Sequence, residues 1–301
     1  MSKASNYYGG YFWVAVVSFI VPLFVGYKAF EKLKPTTKPT PQVDASGVDH
    51  GVWDYLLKSY VSNGLVDYDG MKKDYLFREY IRELGQCNPE ALQTADAELA
   101  LDCNAYNAFV INGVISHKIR DTVDGFAIDG VPFFDLKEHI YGGKTVSLND
   151  IEHGKIRPVY KDPRIHVALV CAARSCPAIR PEAYVGSRVR DQLQDQSIQF
   201  SNNPKYVKAD SSGEKLELNE ILSWYGGDFN ESYPDGSYLA WINELTSNQA
   251  AKTATKNAIA GRIIPTFIKY DWTLNSQADP GAPVVKKKKS GGFGSGSSPD
   301  E

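Results

Sequence analysis

The chain has 301 residues, 43% of them hydrophobic and 23% charged, with a formal net charge of −3. This apolar content can bury at least one substantial core, and the charge balance excludes a nucleic-acid partner recruited by a generally basic surface. Four cysteines, Cys87, Cys103, Cys171 and Cys176, make neither a dense disulfide framework nor paired C-x-x-C zinc knuckles.

No charge occurs from Ala4 to Tyr27, and Tyr11–Tyr27 is almost wholly apolar. As a helix, that run reaches roughly 26 Å at about 1.5 Å per residue, near the lower limit for crossing a bilayer core. Tyr7, Tyr8, Tyr11, Trp13 and Tyr27 suit the two interfaces. Only Lys3 precedes the run and no small-x-small site directly follows it. The expectation is an uncleaved single-pass transmembrane anchor over residues 11–30 after a tail of residues 1–10, in preference to a signal peptide. Lys28, Lys32, Lys34 and Lys38 follow the span, so flanking charge leans the globular part towards the cytoplasm.

Residues 31–47 read as a Pro-rich linker, and the globular domain is expected over residues 48–275. Trp53, Leu56, Leu57, Tyr60 and Val61 recur at helical spacing up to Asn63–Gly64. Leu65–Tyr68 reads as extended, with a turn at Asp69–Gly70. Leu76–Leu84 makes a second helical face, and Asn88–Pro89 a helix start. A longer helix is predicted over Asp96–His117, apolar on most sides and carrying Asn104 and Asn107 on one face. Buried amides need partners, so these two pin neighbouring backbone or serve a site.

Asp129–Gly130 between apolar pairs signals a hairpin. Ser147-Leu148-Asn149-Asp150 has the form of a capping box, starting a short helix over Leu148–Ile156 with Glu152 and His153. Asp162–Pro177, D-P-R-I-H-V-A-L-V-C-A-A-R-S-C-P, organises the rest: its apolar run Ile165–Cys171 reads as a buried strand ending in a tight Arg174–Pro177 turn. Val185–Phe200 is then helical, Tyr206–Val207 and Lys215–Leu218 form a hairpin, Asn219 caps a short helix, Tyr238–Leu245 is helical and Ile263–Leu274 extended. Residues 276–301, with Lys286–Lys289, have the composition of a disordered tail.

Cys176 is the sharpest chemical candidate, because Arg174 and free turn amides would favour its thiolate. A thiol nucleophile needs a base and a group to orient it. His153 and His166 are the candidate bases, with Asp150, Asn149 or Asn107 to orient the ring. Cys103 before a buried helix offers a weaker alternative. A zinc site lacks an H-E-x-x-H, and Gly142-Gly143-Lys144-Thr145 lacks the first glycine of a phosphate loop. No metal or cofactor is expected. Asn230-Glu231-Ser232 is a glycosylation tripeptide, relevant only on the exported side.

L-D-C-N-A-Y-N-A-F-V-I, S-L-N-D-I-E-H-G-K-I-R, the Asp162–Pro177 stretch and Y-D-W-T-L-N, in that order, resemble the domain-of-unknown-function 547 family over about Trp53 to Asn275. The resemblance implies an α+β domain, often exported or membrane-associated in bacteria, and no established reaction. It points to Asn104, Asn107, Asn149, Asp150, Glu152, His153, Arg164, His166, Ser175 and Cys176 without assigning roles. The family usually has a tryptophan where Asp102 stands and a large apolar residue where Cys103 stands, which weakens the Cys103 alternative.

The reading is therefore a membrane-anchored protein with a single α+β domain of several helices around a small buried sheet. Its leading function is a Cys/His thiol-dependent hydrolase or acyl transferase, with Cys176 as nucleophile, His153 or His166 as base, Asp150 or Asn107 as orienting group, and Asn104, Asn149, Glu152, Arg164 and Ser175 in support. The alternative is a non-catalytic binding or scaffold domain displayed at a membrane. Expected partners are the membrane, through the N-terminal helix, and a small molecule or protein not identified by the sequence.

Overall fold

The computed structural model describes residues 39–233 and 237–278. The expected anchor, the start of the linker and nearly all of the lysine-rich tail lie outside them. Among the described residues, no helix is long and apolar enough to cross a membrane.

Three acidic caps begin the domain. Asp49 accepts from the Gly51 amide and starts α1 (His50–Tyr60), Asp67 accepts from Gly70 and starts α2 (Tyr68–Lys73), and Asp74 accepts from Leu76 and starts α3 (Tyr75–Gln86). The Asp69–Gly70 turn is thus replaced by a helix, because Asp67 supplies the cap two residues earlier. α1 buries Trp53, Leu56, Leu57 and Tyr60, and Trp53 stacks on Tyr80 of α3 with ring centroids 5.2 Å apart. Between α1 and α2, β1 (Val61–Ser62) pairs with β2 (Leu65–Val66) across Asn63 and Gly64, both at positive φ. Residues 42–49 pack onto this unit: the Asp44 carboxylate lies 3.1 Å from His50 Nε2, and the Asn88 amide donates to the Ser46 carbonyl at 2.9 Å.

The central post is α4 (Ala95–Ser116), capped by Thr94 and buried continuously from Leu99 to Ile111. It is followed by two hairpins. β3 (Ala127–Ile128) pairs with β4 (Val131–Pro132) across Asp129–Gly130 as anticipated. The second, β5 (His139–Tyr141) with β6 (Lys144–Val146), turns on Gly142 and Gly143, both at positive φ. The glycine pair is therefore a hairpin turn.

Ser147 and Asp150 form the expected capping box at α5 (Leu148–Ile151). The helix then widens into a π-turn over Glu152–Ile156, in which Arg157 N–H donates to the Glu152 carbonyl, before resuming as α6 (Arg157–Tyr160). Pro158 supplies a physical cause. It has no N–H for the Gly154 carbonyl, and its ring would crowd that oxygen in a regular α-helix.

The strand expected over Ile165–Cys171 is corrected. Residues 163–167 form a 3₁₀ turn capped by Asp162, and the rest is buried irregular chain with one bridge, Ala173 to Leu274. Beyond it come α7 (Val189–Asn202), β7 (Val207–Ala209), β8 (Leu216–Asn219), α8 (Ile221–Trp224), α9 (Gly226–Ser232), α10 (Tyr238–Leu245), α11 (Gln249–Ile259) and β9 (Thr266–Ile268). β7 and β8 are antiparallel, whereas β9 lies parallel to β8 with Phe267 opposite Leu218. The four helices between β8 and β9 provide the long crossover that parallel pairing requires.

The class is α+β, as expected, but the described residues hold three two-stranded sheets and one three-stranded sheet in place of a single buried one. Two apolar clusters form the core. The larger surrounds α4; the smaller joins Phe200, Leu218, Phe229, Trp241 and Ile242. Ile165 and Ala168 belong to the first and Val167 to the second, while Trp224 packs against both. Residues 163–177 therefore run along the seam between the clusters.

Candidate functional site

A buried chain without strand neighbours must find other partners for its amides and carbonyls. Asn107 supplies them from α4. Its Nδ2 donates to the Ala168 carbonyl at 3.0 Å, and its Oδ1 accepts from the Val170 amide at 2.9 Å. Asn104 clamps Tyr184 in the same two-point manner, donating to its carbonyl at 2.8 Å and accepting from its amide at 2.9 Å. Both asparagines are buried, and both hold backbone.

The segment that Asn107 holds delivers two sulfurs to one place. The Cys171 amide donates to Cys176 Sγ at 3.0 Å, and Ala172 between them has φ of +60°. Cys176 is buried, while Cys171 remains partly exposed, its Sγ 3.1 Å from the Tyr270 hydroxyl. The Cys176 thiol points at the Leu169 carbonyl at 4.0 Å, and the neighbouring Cys176 together with the Tyr270 hydroxyl lowers the Cys171 thiol against the cost of burial. Burial, then the neighbouring Cys171, pushes the Cys176 thiol well up. The two thiols are thus pushed in opposite directions, Cys171 down and Cys176 up. Tyr270 also stands between Trp224 and Trp272, at 4.7 and 4.6 Å, and lines an open cleft of about 550 Å³ with Asp121, Asp271 and Trp272.

The π-turn turns Glu152 inward, where it is buried and within electrostatic reach of Cys171. The Tyr106 and Tyr225 hydroxyls face its carboxylate, and burial together with that carboxylate raises both phenols. Tyr225 stacks on His166 with ring centroids only 3.8 Å apart. His166 Nε2 meets Asp228 Oδ2 at 2.7 Å, Arg157 grips the same carboxylate with two bonds of 2.9 Å, and Arg157 also contacts His153 Nδ1 at 2.9 Å. Burial opposes ionisation of Asp228, but His166 and Arg157 outweigh it and hold the carboxyl well below the usual carboxylate range.

The two candidate bases are thus brought together through Asp228 and Arg157. Among the described residues, neither imidazole is hydrogen-bonded to either sulfur of the pair. Asp150 is spent on the capping box with Ser147, and Asn149 donates to Asp135 at 2.7 Å, so neither orients His153. Arg164 pairs with Asp162 at 2.7 Å. Ser175 Oγ accepts from the Asp271 amide at 2.8 Å and tethers the cysteine turn to the closing segment. Cys103 is fully buried, and burial raises its thiol. Sequence reasoning passed over Tyr106, Arg157, Tyr225, Asp228 and Tyr270. Arg157 stands four residues after His153 and Tyr270 opens Y-D-W-T-L-N, which were usable signals; Asp228 lies in a stretch without any. No three His, Cys, Asp or Glu side chains converge as a metal set among the described residues.

The family model described as "Protein of unknown function, DUF547" matches residues 89–200, which hold α4, the π-turn helix, the cysteine pair and most of α7. This is the family that the quoted motifs resemble. No curated protein and no solved structure matches the chain.

Proposed function

We propose that the domain is a thiol-dependent hydrolase or acyl transferase whose nucleophile is Cys171. The observation that carries this reading is the contact of the Cys171 sulfur with the Tyr270 hydroxyl at 3.1 Å beside Cys176, with both neighbours lowering the Cys171 thiol. A thiol so placed reaches its nucleophilic form without a hydrogen-bonded imidazole, since lowered thiol pKa is itself a route to activation. Its sulfur attacks an acyl carbon presented from the Tyr270 cleft. Tyr270, as a neutral donor, follows the charge as it leaves sulfur. Glu152, held by Tyr106 and Tyr225, is the carboxylate that takes up the proton Cys171 sheds and returns it to the leaving atom. The Asp228 network stacks His166 under Tyr225 and acts as a positioning shell. We also propose, on the apolar run alone, that residues 11–30 anchor the domain to a membrane.

Iodoacetamide alkylation of the full-length chain across pH, with peptide mapping, tests the nucleophile. Cys171 is expected to react first, with an apparent pKa below the roughly 8.5 of a free thiol. Tyr270→Phe should move that pKa upward and slow labelling at neutral pH. Cys171→Ser should abolish turnover of an activated ester or thioester. If Cys171 is modified only after unfolding, the enzyme reading fails and a non-catalytic binding domain takes its place.

A further inference from the structure

Cys176 has no role in acyl transfer beyond lying beside Cys171, yet the fold gives it a buried position. Its Sγ lies 3.0 Å from the backbone nitrogen of Cys171, so it sits within a side chain's length of the other sulfur. The intervening turn is closed on itself: the Cys176 amide donates to the Ala173 carbonyl at 3.2 Å, Ala173 bridges Leu274, and Ala172 takes the left-handed conformation. The exposures are unequal in a useful sense. Cys171 is half-buried, while Cys176 is 2% exposed. Cys87 and Cys103 are both buried; the Cys87 thiol donates to the Leu84 carbonyl at 3.1 Å, and Cys103 lies within α4.

We propose that Cys171 and Cys176 form a reversible redox couple, in which a peroxide oxidises Cys171 and Cys176 resolves the product as an intramolecular disulfide. The Cys171 thiolate attacks one peroxide oxygen, the O–O bond breaks, and hydroxide leaves to take up the proton that Cys171 had shed, giving a sulfenic acid and water. Cys176 sulfur then attacks Cys171 sulfur, the S–O bond breaks, and the departing hydroxide carries off the Cys176 proton as a second water. Two thiols and one peroxide become one disulfide and two waters. A dithiol reductant reverses it by thiolate attack on the bridge. Formation of an S–S bond of about 2.05 Å asks that the two side chains rotate towards each other within a turn already closed, where Cys176 Sγ lies 3.0 Å from the Cys171 amide nitrogen. The pairing stands on this geometry alone; its consequence, silencing of the Cys171 nucleophile, rests on the proposed function.

The test treats the full-length chain with one equivalent of hydrogen peroxide and maps peptides without reduction. The expected product is a Cys171–Cys176 crosslink, two hydrogen atoms lighter than the dithiol and restored by dithiothreitol. In Cys176→Ala, and in Cys176→Ser as a second variant, the crosslink is lost and a dimedone-trapped sulfenic acid appears at Cys171. Near-native circular dichroism identifies the variant to be read. Wild-type protein that goes to sulfinic acid at Cys171 with Cys176 still a thiol overturns the proposal, as does a crosslink to Cys87 or Cys103. Crosslinking needs no substrate. A disulfide that forms in a chain devoid of turnover therefore supports this couple while counting against the acyl-transfer reading.

Discussion

Asn107→Ala strikes at the joint between the fold and the sulfur pair. The substitution removes a donor to the Ala168 carbonyl and an acceptor for the Val170 amide, both in buried chain that has no strand partner to replace it. A buried backbone group left unsatisfied costs about 1–3 kcal/mol, so two of them, relieved in part by relaxation of the segment, should cost about 3 kcal/mol. With a urea dependence of about 2 kcal/mol per molar, the unfolding midpoint should fall by about 1.5 M. Tryptophan fluorescence of the full-length chain reads this directly. Asn149→Ala provides the comparison, since its bond to Asp135 lies at the exposed rim and its loss should stay within about 0.5 kcal/mol. A second readout is local: once residues 168–170 are released, alkylation of Cys176 at low urea should rise well before global unfolding. A midpoint shift under about 0.3 M for Asn107→Ala, with an unchanged urea slope, would show that the amide does not hold the segment.

Two further perturbations test the electrostatics. His139 is stacked on Phe109 at 4.9 Å with both ring nitrogens unpartnered, Glu138 Oε1 lying 3.9 Å away, beyond hydrogen-bond reach, and burial pulls its pKa down to about 4. The unfolded chain therefore binds the proton first: stability is complete above about pH 6.5 and is lost as pH falls from there to about 4, by about 3 kcal/mol. His139→Leu should flatten that part of the pH–stability curve, and an unchanged slope would exclude His139 as its source. Asp102 is fully buried, hydrogen-bonded by Tyr141 at 2.5 Å and paired with Lys155 at 2.9 Å. Lys155→Met should cost about 3–5 kcal/mol by stranding that carboxylate, and adding Asp102→Leu should recover most of it; equal midpoints for wild type and Lys155→Met in urea would refute the argument.

Periodicity and capping carried most of the helical frame. α1, α3, α4 and α10 stand where their apolar spacing put them, and Ser147 and Asp150 make the capping box that their spacing announced. α11 was passed over because Gln249–Ile259 is rich in alanine, lysine and threonine and buries only Ala251, Ala254 and Thr255. The Ile165–Cys171 run misled for another reason. Continuous apolarity reports burial, not the identity of the hydrogen-bond partner, and here the partner is a side-chain amide 61 residues upstream for the Ala168 carbonyl. The same blindness extends to the cysteine pair. Cys176 looks activated beside Arg174 in sequence, but the fold buries it and its thiol is pushed up, while half-buried Cys171 has its thiol lowered by Cys176 and Tyr270.

The π-turn at Glu152–Ile156 links these features. A regular α-helix from Ser147 would carry consecutive residues around by about 100° and bring positions four apart onto one face. The widened turn, closed by the Arg157 N–H on the Glu152 carbonyl five residues back, shifts that registry midway; within it Glu152 and Ile156 are buried, Lys155 reaches Asp102, and Arg157 reaches Asp228 and His153. Three separate destinations are thus served from one short helix: the carboxylate beside the thiol, the buried aspartate on α4, and the aspartate of α9. Pro158 makes the widened turn the low-energy choice, since a straight helix there would lose a hydrogen bond and crowd the Gly154 carbonyl. Replacing Pro158 with alanine removes the reason for the widening and not the widened contacts. What then keeps the turn open is whether Glu152, Lys155 and Arg157 together outweigh one regained helical hydrogen bond of about 1 kcal/mol. Two charge-assisted networks against a single neutral bond favour the open turn, so the site's geometry is held by its own side chains as well as by the proline.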